Sequence, residues 1–481
     1  MAAALQRRAA ASDLPDLWMD RWLPALYGGC GLVALAVYAA TAAPTLSWRN
    51  GGDDGGDLAV AAASLGVAHP TGYPFYVLLG WSWLRLFPIG DVGHRLSVFS
   101  GLCSAVAIAM AAWAGAELIR CARPEVGRRE TATGAAAAAL LLGVSAPLWG
   151  QAVVVSVFSL NLAFAGALLG LALRAQRLGP STRAAGVFGG LLGVGLGNHV
   201  TLAFVGLAGA AIGIWRRWPW RIWVVAGLAT AIGLMAVYSY LLLGRVEMRD
   251  PIGAWGDPST PSGLLNLVTA HSYQGLLGRV PAGQAAGRAV RAAALLVQVL
   301  TPVGLLAAIA GAASALTATA GQEWRQFIGP LVLAVAALGF AITYGGARGE
   351  HHLLLMYLAI ALLAGVGLAD ALTLLGKLGA RGWLLGIAGL ALLLAGAGWA
   401  SRGVAAGSDQ EAVQFAQAAL EAQPPNGQVS REDDAHIFAL WYAQDVLGVR
   451  PDVAVIQPGL WQANPLYRAK LLARHPWLAS L

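Results

Sequence analysis

The chain has 481 residues, of which 58% are hydrophobic and only 11% are charged, with a net charge of +7. Soluble globular domains carry about 25% charged residues, so this composition excludes a soluble protein. Several uncharged runs approach the roughly 20 residues that a helix needs to cross a bilayer. The composition therefore predicts an all-α polytopic membrane protein.

The basic residues cluster in short hydrophilic links between the apolar runs. These links lie at 6–8, 120–130, 174–183, 215–221 and 376–381. Short loops rich in arginine and lysine remain in the cytoplasm under the positive-inside rule. The positive charge is therefore a topology signal, and we expect no nucleic-acid partner. The polar N-terminal residues 1–22 are predicted to be cytoplasmic, and the first apolar run is predicted to be a permanent anchor.

In chain order, the apolar runs predict about eleven transmembrane helices within residues 23–400. Full-length spans are expected at Leu23–Ala43, Leu96–Leu118, Ile222–Leu243, Ala289–Leu316, Phe327–Tyr344, Leu353–Leu374 and Trp383–Ala400. Thr133–Leu173 and Ala184–Ile214 each lie between basic links, so each must cross an even number of times. The second region is too short for two full spans, which predicts broken helices that turn near Gly197–His199 beside a polar cavity.

The segments between the spans predict two outer loops, at 44–95 and 244–287, and an outer C-terminal segment at 401–481. The apolar stretch Tyr73–Ile89 is short and contains an arginine, so we expect it to lie at the membrane interface without crossing. In the C-terminal segment, a helical pattern, a "GVRPD" turn and the apolar run "VAVI" predict a small α/β cap. Cys30, Cys103 and Cys121 show no metal-binding or redox spacing.

The first outer loop contains the most concentrated polar motif, "GGDDGGDLAVAAASLGVAHPTGYPFY" at 51–76. A short helix is predicted from near Asp57 to Gly66, which places Asp57 at a helix N-terminus and Asp54 on glycine-flanked backbone. Carboxylates beside the lipid surface can deprotonate an acceptor hydroxyl or hold Mg²⁺ or Mn²⁺ near a lipid phosphate. The alternative is that Asp57 only caps the helix and Asp54 is solvated.

Further candidate residues for substrate binding lie on the predicted outer face, where all eight histidines also fall. Aromatic residues there suit a sugar face and a lipid headgroup belt about equally, and a lone histidine is often only a helix-end residue. These candidates are Asn198, His199, Trp255, Asp257, His271, Tyr273, Arg348, His351 and His352.

The motif of the first outer loop resembles the opening signature of a membrane family first described as domain of unknown function 2723. In that family an Asp-x-Gly-Glu group is followed by His-Pro-x-Gly-Tyr-Pro. Its eukaryotic members are protein O-mannosyltransferases, and the family is placed among the GT-C glycosyltransferases. The matching positions are Asp54, Asp57, His69, Pro70, Gly72 and Tyr73.

Four later blocks extend the resemblance in order: "LWGQAVVVSVFSLNLAF", "GLGNHVT", "GAWGDPST" and "FALWYAQDVLGVRPDVAVI". The resemblance implies a GT-C-like fold and a glycosyltransferase of the outer membrane face. The implied donor is mannose or a similar hexose on polyprenyl phosphate, and the implied acceptor is a protein or a glycan. It also implies that an acidic residue of the first outer loop, here Asp54 with Asp57, is essential, while His69 and Tyr73 shape the substrate site. The basic links favour a bacterial inner membrane, whose lipids are the remaining partners.

Three residues depart from the family pattern. Ser156 stands where glutamate is usual, Phe158 where tyrosine is frequent, and Ala270 where arginine is usual. Two alternatives to a transferase stay open. One is a transporter or flippase of lipid-linked sugars, although polar groups are not spread through the membrane depth. The other, which the loss of a carboxylate and a cation keeps open, is an inactive scaffold that binds polyprenyl phosphate.

Overall fold

A computed structural model of the chain describes residues 23–242, 255, 258, 260–317, 323–346 and 349–480. Two predicted site residues, Asp257 and Arg348, lie outside these described residues, as do residues 1–22.

Helices dominate the described part of the chain. Through residue 242 they are α1 (Leu23–Thr41), α2 (Gly55–Ser64), α3 (Pro74–Leu86), α4 (Val92–Ala122), α5 (Arg128–Gly143), α6 (Ala146–Ala152), α7 (Phe158–Leu178), α8 (Thr182–Leu196), α9 (Ala203–Trp215) and α10 (Trp220–Leu242). From residue 260 onward the elements are α11 (Pro261–Val268), α12 (His271–Gln274), α13 (Ala282–Thr317), α14 (Ile328–Thr343), α15 (Leu354–Gly376), α16 (Ala380–Ser401), α17 (Glu411–Glu421), β1 (Gln428–Ser430), α18 (Asp434–Asp445), β2 (Ala454–Ile456), α19 (Pro458–Ala463) and α20 (Pro465–Arg474).

The prediction of a polytopic helical membrane protein is confirmed, but the number of full-length spans is smaller than eleven. Eight of the described helices are long and apolar enough to cross a membrane, and α5 with α6, bent by 67°, makes up to nine. The helices α8 and α9 complete the eleven predicted segments but have only 15 and 13 residues. At about 1.5 Å per residue, neither reaches across a hydrocarbon core of about 30 Å. The break between them falls at Gly197–His199, as predicted.

The stretch expected to lie at the interface forms α3. This helix has 13 residues, or about 20 Å of length, and is not among the candidate spans. Its N-terminus is tied to the break between α8 and α9, since the Phe75 amide donates a hydrogen bond to the Gly197 carbonyl at 3.0 Å. The first outer loop is thereby fixed against the broken helices.

The helices α4, α5, α7, α13 and α15 enclose the larger hydrophobic core. Small residues let them approach closely, as is usual between membrane helices. A Cβ atom added at Gly367 of α15 would lie 2.0 Å from the Ala307 carbonyl oxygen of α13. Any larger residue at Gly367 would force these two helices apart.

A second core joins the first outer loop to the C-terminal segment. Leu58 of α2 and Tyr76 of α3 are buried in the same cluster as Phe438 and Trp441 of α18. The strands β1 and β2 pair in parallel within this segment. The predicted "VAVI" strand is confirmed as β2, whereas β1 was not predicted. The division of the chain at residues 22/23 and 400/401 stays a prediction.

One buried carboxylate connects two of the basic links. Glu117 of α4 is fully buried, and its carboxylate lies 2.7 Å from Arg177, 3.3 Å from Arg174 and 3.5 Å from Arg120. The sequence pattern predicts these arginines only as topology signals. The structure shows that they also neutralise a buried charge and hold the ends of α4 and α7 together.

Candidate functional site

The motif of the first outer loop folds into α2 and the turn that follows it. Asp54 is the N-cap residue of α2, and Asp57 lies in its first turn. The helix ends at Leu65, whose φ of 57° is left-handed, one residue before the predicted Gly66. The side chain of Asp57 is buried, while Asp54 is exposed. Two aspartates three residues apart therefore occupy opposite environments.

Asp57 anchors a histidine and a tyrosine from the following turn. Its Oδ2 atom accepts a hydrogen bond from the His69 backbone amide at 2.9 Å and lies 2.7 Å from His69 Nδ1. On the other side of the imidazole, His69 Nε2 lies 3.1 Å from the Tyr73 hydroxyl. The three side chains form one buried line, and they are the residues that the resemblance selected.

The charges around His69 favour its protonated form. Burial alone lowers the pKa of His69, but the hydrogen bond to Asp57 and the charges of Asp54, Asp57 and Asp434 outweigh it and raise the pKa above its usual range. With both ring nitrogens protonated, Nδ1–H donates to Asp57 and Nε2–H donates to the Tyr73 oxygen. The hydroxyl hydrogen of Tyr73 then remains available for a substrate oxygen.

Both oxygens of Asp57 are already in use. In addition to the His69 contacts on Oδ2, Oδ1 accepts a hydrogen bond from Trp255 Nε1 at 3.0 Å. A metal ion at Asp57 would therefore share its oxygens with His69 and Trp255, and the role of metal ligand stays a prediction. No group of three or more His, Cys, Asp or Glu side chains within the described residues is arranged to hold a metal ion.

The charge of Asp54 acts on several titratable side chains of the site. After burial, its charge is the largest cause that raises the pKa of Tyr73 and of Tyr344, and it contributes to the raised pKa of Tyr273. It also acts on Asp434, whose pKa is raised to about 6 by desolvation and by the charge of Asp54. The charge of the exposed Asp54 thus affects tyrosines from three separate segments of the chain.

The C-terminal segment completes this site, a contact that the sequence pattern does not predict. The Phe438 ring of α18 stacks on His69, with 6.1 Å between centroids and 12° between planes. Trp441 of the same helix meets Trp255 at 6.4 Å. Asp434 is the first residue of this helix, and burial and then the charge of Asp54 raise its pKa. The only sequence signal was the "FALWY" block, which matched the family without pointing to a role.

The close approach of α18 depends on a glycine of the "DDGGD" motif. A Cβ atom at Gly56 would lie 2.3 Å from the Phe438 carbonyl oxygen and 2.5 Å from the carbonyl carbon. Because the obstacle is backbone, a side chain there must push the two helices apart. The contact with α18 therefore explains why the motif has a glycine at position 56, between Asp54 and Asp57.

We expect Gly56→Ala to destabilise the protein by about 3 kcal/mol, the upper end for overpacking, and to reduce activity by separating Phe438 from His69. The measurement is thermal unfolding of the purified protein in lipid nanodiscs. Gly190→Ala is the matched control, because Gly190 is a helical glycine whose added Cβ would meet nothing within 4 Å. Equal unfolding temperatures for the two variants would contradict the assignment.

A second group of predicted residues forms the neighbouring wall. The His199 ring lies 5.9 Å from Tyr73 and 5.4 Å from His352. Phe158 lies 5.1 Å from His199 and 5.2 Å from His351. These rings extend the line from His69 toward the end of α14.

His199 is neutral in this wall. Burial, and secondarily the charge of His69, lowers the pKa of His199 to about 3. Its Nδ1 accepts from the Thr201 amide at 3.2 Å and lies 2.8 Å from the Thr201 hydroxyl. The remaining proton is therefore on Nε2, which can donate a hydrogen bond. His199 serves as the N-cap of the turn that begins at Val200, so the helix-end interpretation is also correct.

Two predicted residues do not join these rings directly. Asn198 is fully buried, and its amide donates to the Val157 carbonyl at 3.2 Å, so it ties the helix break to the start of α7. His271 is exposed at the start of α12. Tyr273 lies two residues later in this helix. Its pKa is raised by burial and then by the charges of Asp434, Asp54 and Asp57.

The residues that depart from the family pattern are accommodated locally. Ser156 is buried, donates to Gln151 Oε1 at 2.7 Å and accepts from the Phe158 amide at 3.1 Å. Its hydroxyl is therefore committed to holding the start of α7. Phe158 supplies a ring to the wall described above. Ala270 is the N-cap of α12 with a φ of 49°, a strained backbone for a residue with a Cβ atom.

Part of the sequence is similar to a known domain family. Residues 54–222 match the Protein O-mannosyl-transferase TMEM260 N-terminal domain. The resemblance predicted from the motifs is thereby confirmed, and the matched region begins at Asp54.

Two curated proteins show the same relationship in sequence. The mouse Protein O-mannosyl-transferase TMEM260 is 35% identical over 144 residues, which is 29% of this chain and 19% of that protein. The Dictyostelium discoideum protein of the same name is 34% identical over 73 residues, covering 15% of this chain and 8% of its own length. The matches thus span less than a fifth of either relative.

Solved structures show the fold. ArnT from Cupriavidus metallidurans bound to undecaprenyl phosphate has a TM-score of 0.54 at 15% identity, covering 94% of this chain and 88% of that one. The apo oligosaccharyltransferase of Archaeoglobus fulgidus has a TM-score of 0.52 at 12% identity, covering 94% and 68%. The predicted GT-C-like fold is confirmed.

Proposed function

We propose that this protein is a GT-C glycosyltransferase that moves mannose or a similar hexose from a polyprenyl-phosphate donor to an acceptor hydroxyl on the outer membrane face. The observation that carries the proposal is the contrast between the two motif aspartates. Asp57 is buried and both its oxygens accept hydrogen bonds, whereas Asp54 is exposed and its charge acts on His69 and Tyr73.

Asp54 is proposed as the general base. An ionised carboxylate takes the proton of the acceptor hydroxyl while the acceptor oxygen bonds to the anomeric carbon. The bond between that carbon and the phosphate oxygen breaks, and the phosphate leaves with the electron pair. A direct displacement of this kind needs one base. No step requires a metal ligand from Asp57, whose oxygens hold His69 and Trp255.

His69 and Tyr73 are proposed to orient the reacting groups. The Asp57–His69 pair fixes the Tyr73 oxygen, so that the hydroxyl hydrogen of Tyr73 points to one defined acceptor atom. The charge of His69 lies close by and favours the negative phosphate that develops as the donor bond breaks. The neutral His199, with a proton on Nε2, adds a further donor to the same wall.

The identities of donor and acceptor follow from different observations. A polyprenyl-phosphate donor is supported by the membrane helices and by the fold shared with ArnT, which was crystallised with undecaprenyl phosphate. A protein acceptor is supported by the name of the matched domain family, and a glycan acceptor is the other candidate. The proposed location remains a bacterial inner membrane with a cytoplasmic N-terminus and an outer C-terminus, while the curated relatives are eukaryotic.

The test is sugar transfer from a panel of radiolabelled polyprenyl-phosphate sugars, with mannose first, in membranes that contain the protein. Each donor is offered with a peptide rich in serine and threonine and, separately, with membrane glycans. We expect one donor to lose its label to one acceptor class. Movement of a lipid-linked sugar across the bilayer without transfer would instead identify a flippase, and lipid binding without transfer would identify a scaffold.

A further inference from the structure

An apolar cavity lies between α7, α8, α9 and α10, at the opposite end of the broken helices from the candidate site. Its volume is about 230 Å³. None of the roles proposed above uses it. Alanines and glycines form much of its lining, together with six larger apolar side chains: Leu171, Phe188, Leu192, Trp218, Ile222 and Trp223.

The polar atoms of the lining form hydrogen bonds within the protein. The Thr230 hydroxyl donates to the Ala226 carbonyl at 2.8 Å, and Trp223 Nε1 donates to the Trp218 carbonyl at 3.2 Å. The Ser181 hydroxyl caps the start of α8. A buried water needs two to four polar partners, and apolar cavities of about 150 Å³ stay dry and bind small hydrocarbons. This cavity therefore suits a hydrocarbon occupant, which the surrounding bilayer supplies.

The cavity lies within one leaflet of the predicted membrane. One end is formed by Pro180, Ser181 and Trp218, which belong to two of the basic links predicted to be cytoplasmic. From Ile222 to Thr230, the lining part of α10 rises about 12 Å, which is less than the roughly 15 Å of half a hydrocarbon core. The cavity thus accommodates part of an acyl chain of the cytoplasmic leaflet.

A glycine leaves the cavity open beside a close helix contact. Cβ atoms added at Gly189 and Gly193 of α8 would lie 2.1 Å from carbonyl oxygens of α10, so the two helices meet there backbone to backbone. At Gly227 of α10, which lines the cavity and is exposed, an added Cβ would meet nothing within 4 Å. The space beside Gly227 is wide enough for a hydrocarbon chain to enter.

Positive charge lies at the cytoplasmic end of the cavity. Arg183, Arg217 and Arg221 are exposed, and each is within two residues of a lining residue. None of the three forms an ion pair with another residue in the described part of the chain. Basic pockets between membrane helices on the cytoplasmic side bind the headgroups of anionic lipids.

The turn between α9 and α10 places one of these charges beside two indoles. Arg217 has a φ of 52°, a conformation in which helix ends usually have glycine. The Trp218 amide donates to the Gly213 carbonyl at 2.9 Å, which closes the end of α9. The Trp218 and Trp223 rings then lie 6.5 Å apart. Tryptophan and arginine together are typical of the level at which lipid headgroups lie.

We propose that this cavity binds one acyl chain of an anionic phospholipid from the cytoplasmic leaflet, and that Arg217 and Arg221 bind its phosphate. The apolar lining suits the chain, and the guanidinium groups suit the negative headgroup. The bound lipid fills the space between α8 and α10. It thereby supports the short helices α8 and α9, whose break carries Asn198 and His199.

The experiment is native mass spectrometry of the full-length protein, released from nanodiscs that contain equal amounts of phosphatidylcholine and phosphatidylglycerol. We expect wild type to retain phosphatidylglycerol preferentially. Gly227→Leu should retain about 10-fold less, as for the loss of about two methylene contacts, because its side chain enters the open space. Arg217→Gln/Arg221→Gln should lower the preference for phosphatidylglycerol about 30-fold, as for the loss of two basic contacts.

Each variant has a matched control. Gly389→Leu adds the same side chain at an exposed glycine of α16, where a Cβ would also meet nothing within 4 Å. Lys377→Gln/Arg381→Gln removes two exposed positive charges from another basic link. Both controls should retain phosphatidylglycerol as wild type does. Thermal unfolding is the second readout, since phosphatidylglycerol should stabilise wild type and Gly389→Leu but not Gly227→Leu.

Three results would overturn the proposal. The cavity assignment is wrong if Gly227→Leu retains as much phosphatidylglycerol as wild type. The headgroup assignment is wrong if wild type retains phosphatidylcholine equally well. If Gly227→Leu instead abolishes a dimer, the occupant is a second copy of the chain. The test contains no sugar donor, so its outcome is independent of the proposed function.

Discussion

Asp54→Asn is expected to reduce sugar transfer by about 10²–10⁴-fold, the range that a positioned general base contributes. The amide keeps the shape of the side chain but cannot accept the proton of the acceptor hydroxyl. Because Asp54 is exposed, the substitution leaves no buried group without a partner, so we expect the unfolding temperature to stay unchanged. Donor binding should also persist, since the phosphate is assigned to other residues. The measurement is the initial rate of transfer with the active donor.

The matched control is Asp53→Asn, which removes the same charge one residue earlier in the same loop. We expect it to retain most of the transfer rate. If Asp54→Asn keeps more than about a tenth of the wild-type rate, Asp54 is not the base. Asp434, whose pKa burial and the charge of Asp54 raise to about 6, would then be the next candidate for the base. A flippase would be affected little by either substitution.

Asp57→Asn is expected to destabilise the protein by about 2–3 kcal/mol and to reduce transfer strongly. Removal of one partner of a buried pair usually costs about 3–5 kcal/mol, but His69 can lose its proton and so escape part of that penalty. The Tyr73 hydroxyl loses its fixed donor at the same time, which explains the effect on activity. Thermal unfolding and transfer rates of the variant measure the two effects separately.

The double variant Asp57→Asn/His69→Gln tests whether the two residues act together. If they form one pair, His69→Gln adds little to the destabilisation that Asp57→Asn already causes. Additive losses of stability would contradict the pairing. Transfer rates should follow the same pattern, because both substitutions remove the group that holds Tyr73.

The same pair predicts how stability depends on pH. The pKa of His69 is raised in the folded protein, so between its unfolded value of about 6.5 and the raised value the native state binds more protons. The contribution of the pair is therefore complete below about pH 6.5 and is lost as pH rises through the folded pKa. Thermal unfolding from pH 6 upward should show this loss in wild type and not in Asp57→Asn. Parallel pH curves for the two proteins would contradict the assignment.

The sequence alone determined the class of protein and the region where the candidate site lies. Apolar runs have no stable place except in a bilayer or a core, so their lengths and the basic links predicted the spans, including the broken pair α8 and α9. Clustered carboxylates between apolar runs marked the first outer loop. The family motif then selected His69 and Tyr73, which the structure places in contact with Asp57.

Only the tertiary structure decided which aspartate is available for chemistry. The difference between Asp54 and Asp57 comes from partners far away in the chain, such as Trp255, which is 198 residues from Asp57. Asp434 and Phe438 enter the site because Gly56 lets α18 approach α2, a contact that no local pattern reveals. The proton affinity and availability of a carboxylate depend on its burial and neighbours, and both are fixed only when distant segments pack together.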